Sequence, residues 1–192
     1  MAATSSPITS SPITSRYSTI AVLLHWIIAA LIIGQIAGGK VMTELAATTL
    51  KFDLYQWHKA LGLIILALSL ARLLWRLTHR PPALAIPQKA WERRLARFSH
   101  WGFYAFMIAV PLLGWLTVSA AMVGLPTSMF GLFTVPDLPV ADSLATERLM
   151  KRLHALTAYA TAALLVLHVA AAIKHQRDGH PILHRMSLKT RT

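Results

Sequence analysis

The stretch Leu153–His175, LHALTAYATAALLVLHVAAAIKH, decides the fold. At about 1.5 Å of rise per residue it is long enough to cross the roughly 30 Å of hydrocarbon in a bilayer as one helix. Yet it keeps His154 and His168 inside an otherwise apolar run, and ionisable groups at membrane depth are costly and usually functional. Fourteen residues turn an ideal helix through about 1400°, some 40° short of four full turns, and rise about 21 Å. The two imidazoles therefore share one face and stand at opposite ends of the span.

Three further apolar segments of similar length precede it, at about 18–37, 55–75 and 98–121. Trp26, Trp57, Trp75 and Trp101 fall near segment ends, where amphipathic rings sit at headgroup level. Pro111 lies inside the third segment and is expected to kink it, which neighbouring helices tolerate in a membrane. The Pro- and Gly-rich stretches HRPPALAIP and GLPTSMFGLFTVPDLPV read as connections. Residues 1–15 contain SSPITS twice, carry no charged side chain and have too little apolar content to offset the entropy of folding, so they read as a disordered tail. No basic n-region with a short apolar core opens the chain, and no signal peptide is expected. Composition agrees with a four-helix membrane bundle: 55% of the 192 residues are hydrophobic and only 14% charged, against about a quarter in soluble domains. The domain is read as residues 16–185, with a basic tail at 186–192.

The formal charge of +12 does not point to nucleic acid, because the basic residues lie between and after apolar runs instead of forming one basic domain. The link between the second and third segments carries Arg72, Arg76, Arg80, Lys89, Arg93, Arg94 and Arg97. The C-terminal side adds Lys174, Arg177, Arg185, Lys189 and Arg191. By the positive-inside rule both face the cytoplasm, and with four spans both termini do too. The other two loops mix signs.

These directions sort four histidines into two levels. His25, early in the first span, and His168, late in the fourth, lie toward the cytoplasm; His58 and His154 lie toward the outer surface. Two imidazoles facing each other across a bundle suit a six-coordinate b-type haem, whose porphyrin supplies four in-plane nitrogens and the protein two axial ones. Zinc or copper normally takes three or more close protein ligands, and neither level is expected to supply a third. With no cysteine, iron–sulfur clusters, thiolate zinc and covalently attached haem are excluded. Small residues near the ligands, Gly62 one turn from His58 and the alanines around His154 and His168, are expected to make room for the macrocycle.

The patterns LLHW, WHKALG, ARLLWRL and LHALTAY…LHVAAAIKH resemble the bacterial cytochrome b561 family, small four-helix di-haem proteins of the inner membrane, over roughly residues 17–185. The resemblance implies two haem b groups with iron held by His25, His58, His154 and His168. It implies electron transfer from a periplasmic donor to ubiquinone, with superoxide as the donor in at least one member. A third-helix histidine of the family matches His100, and the one after the last ligand matches His175.

His100 and His175 read either as quinone-headgroup partners or as plain interfacial histidines. His79, His180 and His184 read as solvated surface. Arg72 and Arg76 read either as haem-carboxylate partners or as ordinary arginines at the inner interface. Lys59, Lys151 and Arg152 flank the outer pair, where they would draw in an anion such as superoxide or simply meet lipid headgroups; Asp53 and Glu147 lie near enough to dilute the field. An electron-transfer subunit docking a periplasmic cytochrome or dehydrogenase is the alternative to an enzyme, with the stretch 122–152 as its docking surface. A transporter is disfavoured by the lack of buried carboxylates and of an internal repeat.

Overall fold

The computed structural model of the chain describes residues 16–79, 82, 89–122, 124–179 and 182–188. The tail at 1–15, Arg80, His180, Lys189 and Arg191 lie outside the described residues. Four helices carry the fold: α1 (Thr19–Glu44), α2 (Thr49–Thr78), α3 (Ala90–Ser119) and α4 (Leu144–Arg177). Each is long and apolar enough to cross a membrane, and the chain is a multi-pass membrane protein.

The helices outrun the apolar segments, α4 the most at 34 residues, or about 50 Å. Hydrophobicity marks only the part that needs lipid. The backbone ladder continues until a cap or a breaker stops it. Ser18, Thr48 and Ser143 cap α1, α2 and α4 by accepting from the backbone N–H of Ala21, Lys51 and Thr146. The backbone N–H of Lys89 donates to the Glu92 carboxylate at 3.0 Å at the start of α3. Lys174, His175 and Arg177 complement the C-terminal dipole of α4.

Helix α1 packs on α2, α2 on α3, and α3 on α4. The backbone of α4 makes at most marginal contact with α1 or α2, which leaves an interval along the bundle. The core is correspondingly small: Ile28, Tyr104 and Met107, flanked by Leu24, Ile32, Leu68, Leu73 and Phe103. Much of the remaining apolar surface points outward, as lipid-facing side chains do.

One end of the bundle gathers the start of α1, the end of α2, the start of α3 and the end of α4, with most of the arginines. A 3₁₀ turn (Leu183–Met186) closes back beneath it. Arg16 reaches His184 at 2.8–3.2 Å, Trp26 donates to the carbonyl of Met186 at 2.8 Å, and Arg185 donates to that of Pro82 at 3.1 Å. His184 is thus a structural contact of Arg16, not the solvated surface residue expected from its basic surroundings.

At the opposite end the connection between α3 and α4 is more ordered than its Pro and Gly content suggests. A short hairpin pairs β1 (Thr127–Ser128) with β2 (Thr134–Val135). Its turn places Phe130 and Gly131 at φ 56° and 79°, and the Gly131 N–H donates to the Ser128 hydroxyl. Ser119 fastens the return by accepting from the N–H of Leu138 at 2.9 Å.

Candidate functional site

The histidines meet in the interval between α4 and its neighbours. At the basic end the rings of His25 on α1 and His168 on α4 lie 6.4 Å apart, centroid to centroid, at 58°. At the hairpin end His58 on α2 and His154 on α4 lie 6.0 Å apart at 83°. These are the two pairs expected from the direction of each span. A metal between two imidazoles, with nitrogen bonds of about 2 Å, separates the ring centroids by roughly 6.3 Å. The spacing fits one iron per pair.

Local chemistry prepares each ring differently. His154 Nδ1 lies 2.9 Å from the Val110 carbonyl, which only accepts, so this nitrogen carries the proton and Nε2 keeps a free lone pair. Gly114 makes that approach possible. It sits one turn past Val110 on the face where the carbonyl points, and a Cβ there would stand 3.1 Å from Cε1 of His154. Gly39 does the same for His58, its absent Cβ falling 3.3 Å from Cε1. His58 Nδ1 is buried with no hydrogen-bond partner, a condition that costs about 1–3 kcal/mol unless another group claims the ring. Gln35 holds the turn beneath it by donating to the His58 carbonyl at 2.7 Å. The orphaned nitrogen, the two glycine cradles and the free lone pair suit an axially ligated macrocycle.

The basic-end pair is more crowded than the sequence suggests. Arg72 lies 3.0 Å from His25 Nδ1. Arg72 and Arg76 both lie over the Tyr104 ring, at 5.9 and 6.0 Å. His100 stands 6.2 Å from His168, as close as His25 does, and Phe103 lies 5.2 Å from the same ring. A third imidazole therefore is present at this level, contrary to the expectation of two; His100 lies near the start of the third apolar run, where the sequence suggests a quinone-headgroup partner or a plain interfacial residue. Among the described residues, no group of three or more such side chains is placed to hold a single metal ion. His175 lies two turns beyond His168, half-buried near the end of α4.

At Gly62, one turn from His58, a Cβ would meet Gln35 Nε2 at 3.8 Å, an ordinary van der Waals distance. The glycines that touch the rings are Gly39 and Gly114, and the sequence signal for the second was a glycine one turn after a carbonyl beside Pro111. Lys59 does not face solvent as a loose cation; its amino group donates to the carbonyls of Leu125 and Pro126 at 3.0 and 3.3 Å and pins the hairpin loop to α2. Lys151 and Arg152 are exposed on the first turns of α4.

Comparison with known proteins agrees with this geometry. The family model described as prokaryotic cytochrome b561 matches residues 16–188. Cytochrome b561 homolog 2 of Escherichia coli (strain K12) is 30% identical over 177 residues, covering 89% of this chain and 90% of the relative. Cytochrome b561 homolog 1 of the same organism is 25% identical over 169 residues, covering 86% and 94%. A Yersinia pestis protein named "Probable superoxide oxidase CybB" is 27% identical over 161 residues, covering 83% and 88%. With the match running through all four helices and every paired histidine, the chain belongs to the prokaryotic cytochrome b561 family, electron-transfer proteins of the membrane built on b-type haem.

Proposed function

We propose that the chain binds two haem b groups, one held by His58 and His154 and the other by His25 and His168, and transfers electrons from a periplasmic donor, superoxide, to ubiquinone at the cytoplasmic side of the inner membrane. The observation that carries this reading is the matched separation of the two ring pairs, 6.0 and 6.4 Å, at opposite ends of one interval. Bound haem supplies one-electron exchange between iron(II) and iron(III). For each ubiquinone reduced, two superoxide anions lose one electron each and leave as dioxygen, while the quinone takes up two electrons and two protons.

The residues divide the remaining work. The Val110 carbonyl fixes the tautomer and direction of His154. Arg72, beside His25, and Arg76 one turn on serve the haem carboxylates. Near the basic end, His100 and His175 serve a quinone headgroup as hydrogen-bond donors and proton relays. The arginine-rich end is cytoplasmic by the positive-inside rule, and the hairpin end meets the donor. Lys59, Lys151 and Arg152 raise the local concentration of an anion there.

The pyridine haemochrome assay tests the cofactor, with an expected ratio of about two acid-acetone-extractable haems per chain and a ratio near one overturning the double site. Stopped-flow reduction of the oxidised protein by superoxide, with and without quinone, tests the donor. Long-range attraction is screened by salt, so the rate is expected to fall as ionic strength rises. Replacing Lys59, Lys151 and Arg152 together by Gln is expected to slow superoxide-driven reduction severalfold and to leave reverse reduction by quinol nearly unchanged. Since Lys59 also anchors the loop, Lys151→Gln with Arg152→Gln is the cleaner pair.

A second reading, the electron-transfer subunit, is favoured by one feature. The hairpin tip exposes Phe130, Leu132 and Phe133, with Leu132 82% accessible, an apolar surface suited to a docked donor protein. No reaction with superoxide in the unmutated protein would decide for it.

A further inference from the structure

We propose that the connection between α3 and α4 is re-entrant, and that its hairpin tip, residues 130–133, is seated in lipid at the membrane interface. The chain leaves α3 at Ser119 but does not keep travelling away from the bundle. The indole N–H of Trp115, one turn back inside α3, donates to the carbonyl of Pro136 just past β2 at 3.2 Å. On α2, Gln56 donates to the carbonyl of Pro126 at 3.4 Å and accepts from the N–H of Ser128 at 3.3 Å. Lys59, one turn farther in, holds Leu125 and Pro126. Both feet of the hairpin therefore stand at the level of the His58–His154 rings, since Gln56 is two residues from His58 and Trp115 adjoins Gly114, which abuts His154. The helices run on past that level, α2 for about two turns to Thr49 and α4 for about 15 Å from His154 to Leu144.

That level is the edge of the hydrocarbon. The apolar run of α2 opens at Tyr55, and the exposed Trp57 occupies the belt where indoles meet headgroups. Beyond the hydrocarbon the headgroup layer is roughly 5–8 Å deep on each side of a bilayer. Gly131 lies three residues from Ser128, at most about 10 Å of extended chain. Whatever its direction, the tip ends in that layer or against it.

The chemistry of the tip matches lipid better than water. No Asp, Glu, Lys or Arg occurs between Arg97 and Asp137, so the whole hairpin is uncharged. Phe130, Leu132 and Phe133 leave 50%, 82% and 59% of their surface uncovered by the chain, a contiguous apolar patch of the kind that something covers. Non-helical backbone at membrane depth needs its polar groups bonded within the protein. Here the N–H of Met129 donates to the carbonyl of Phe133 at 2.8 Å, that of Gly131 to the Ser128 hydroxyl at 3.0 Å, and that of Leu132 to the carbonyl of Met129 at 3.0 Å. A tip closed on itself in this way enters the headgroup–acyl boundary without stranding these donors. The electron-transfer reading gives the same surface to a donor protein. The level of the feet favours lipid, and so does the lack of charge around the patch, where a protein interface carries a polar rim. Lipid as the partner holds whichever donor reduces the haem.

The test uses the haem-loaded full chain in vesicles of phosphatidylcholine and phosphatidylglycerol. Because the chain has no cysteine, Leu132→Cys accepts a single nitrobenzoxadiazole label, and Asp142→Cys, exposed just before α4, supplies the aqueous reference. Doxyl-labelled phosphatidylcholine quenches the label from within the bilayer and iodide quenches it from the water. At position 132 the lipid quencher is expected to act severalfold more strongly than at 142 and iodide severalfold more weakly, with the emission shifted to the blue. Phe133→Cys is expected to give the same pattern and guards against one substitution that fails to fold, which the haem spectrum of each labelled protein reports. Iodide quenching at 132 and 133 equal to that at 142 overturns the proposal and leaves the surface to a donor protein. Protection of both positions from both quenchers, which contact with a second copy of the chain would give, overturns it as well.

Discussion

Exchanging His154 for alanine is expected to lower the haem-to-protein ratio from about two to about one and to remove one of the two spectral components entirely. His154 is the better-prepared half of its pair: its ring is held by the Val110 carbonyl at 2.9 Å and faces His58 across 6.0 Å. His58→Ala should remove the same component, because both rings of the pair would hold the haem. At the other level the two substitutions are not equivalent. His168 is the ring that both His25 and His100 face, at 6.4 and 6.2 Å, so His168→Ala should abolish the second component outright. His25→Ala leaves an imidazole at the right separation, and its loss of haem should be smaller. Redox-difference spectra of the four variants check the scheme. If His25→Ala and His154→Ala changed the same component, the assignment of the pairs to opposite ends would be wrong.

Most of the architecture was legible because lipid simplifies the problem. In hydrocarbon every backbone group must be bonded within its own segment, so apolar runs of the right length leave helix as the only solution. The His154–His168 spacing then fixed a shared face, and the direction of each span fixed the level of His25 and His58. What periodicity could not supply was lateral detail. His100 lies in the first half of α3, ahead of the densest apolar run, and its approach to His168 depends on how α3 and α4 cross. Lys59 looked like a free cation beside His58 because the partners that bind it are backbone carbonyls of a loop some 66 residues away, and carbonyls leave no mark in a sequence. Gly39 and Gly114 were passed over for the same reason: a glycine reveals what it admits only when the neighbouring helix is in place.

Replacing Gly114 with valine is expected to eliminate the His58–His154 haem as completely as removing a ligand, although no ligand is touched. A Cβ at this position would lie 3.1 Å from Cε1 and 3.2 Å from Nδ1 of His154, closer than ordinary van der Waals contact. Valine adds two methyl groups on a side chain that is stiff at χ1 in a helix, so the strain cannot be relieved by rotation alone. The backbone of α3 is held on both sides, by α2 and by α4, and the imidazole is the movable partner. As it moves it gives up the bond to Val110, worth about 1 kcal/mol, on top of the roughly 1–3 kcal/mol that overpacking costs. Displaced, the ring would no longer face His58 across 6.0 Å, and the pair would not hold a haem. The haem of this pair should be lost, with the haem ratio near one and the other component unaltered. Gly38→Val is the control, since a Cβ there meets nothing within 4 Å and valine is a better helix former than glycine. Gly39→Val, 3.3 Å from His58, should resemble Gly114→Val from the opposite wall. A Gly114→Val protein that kept both low-spin components would mean that the cradle on α3 does not determine where His154 points.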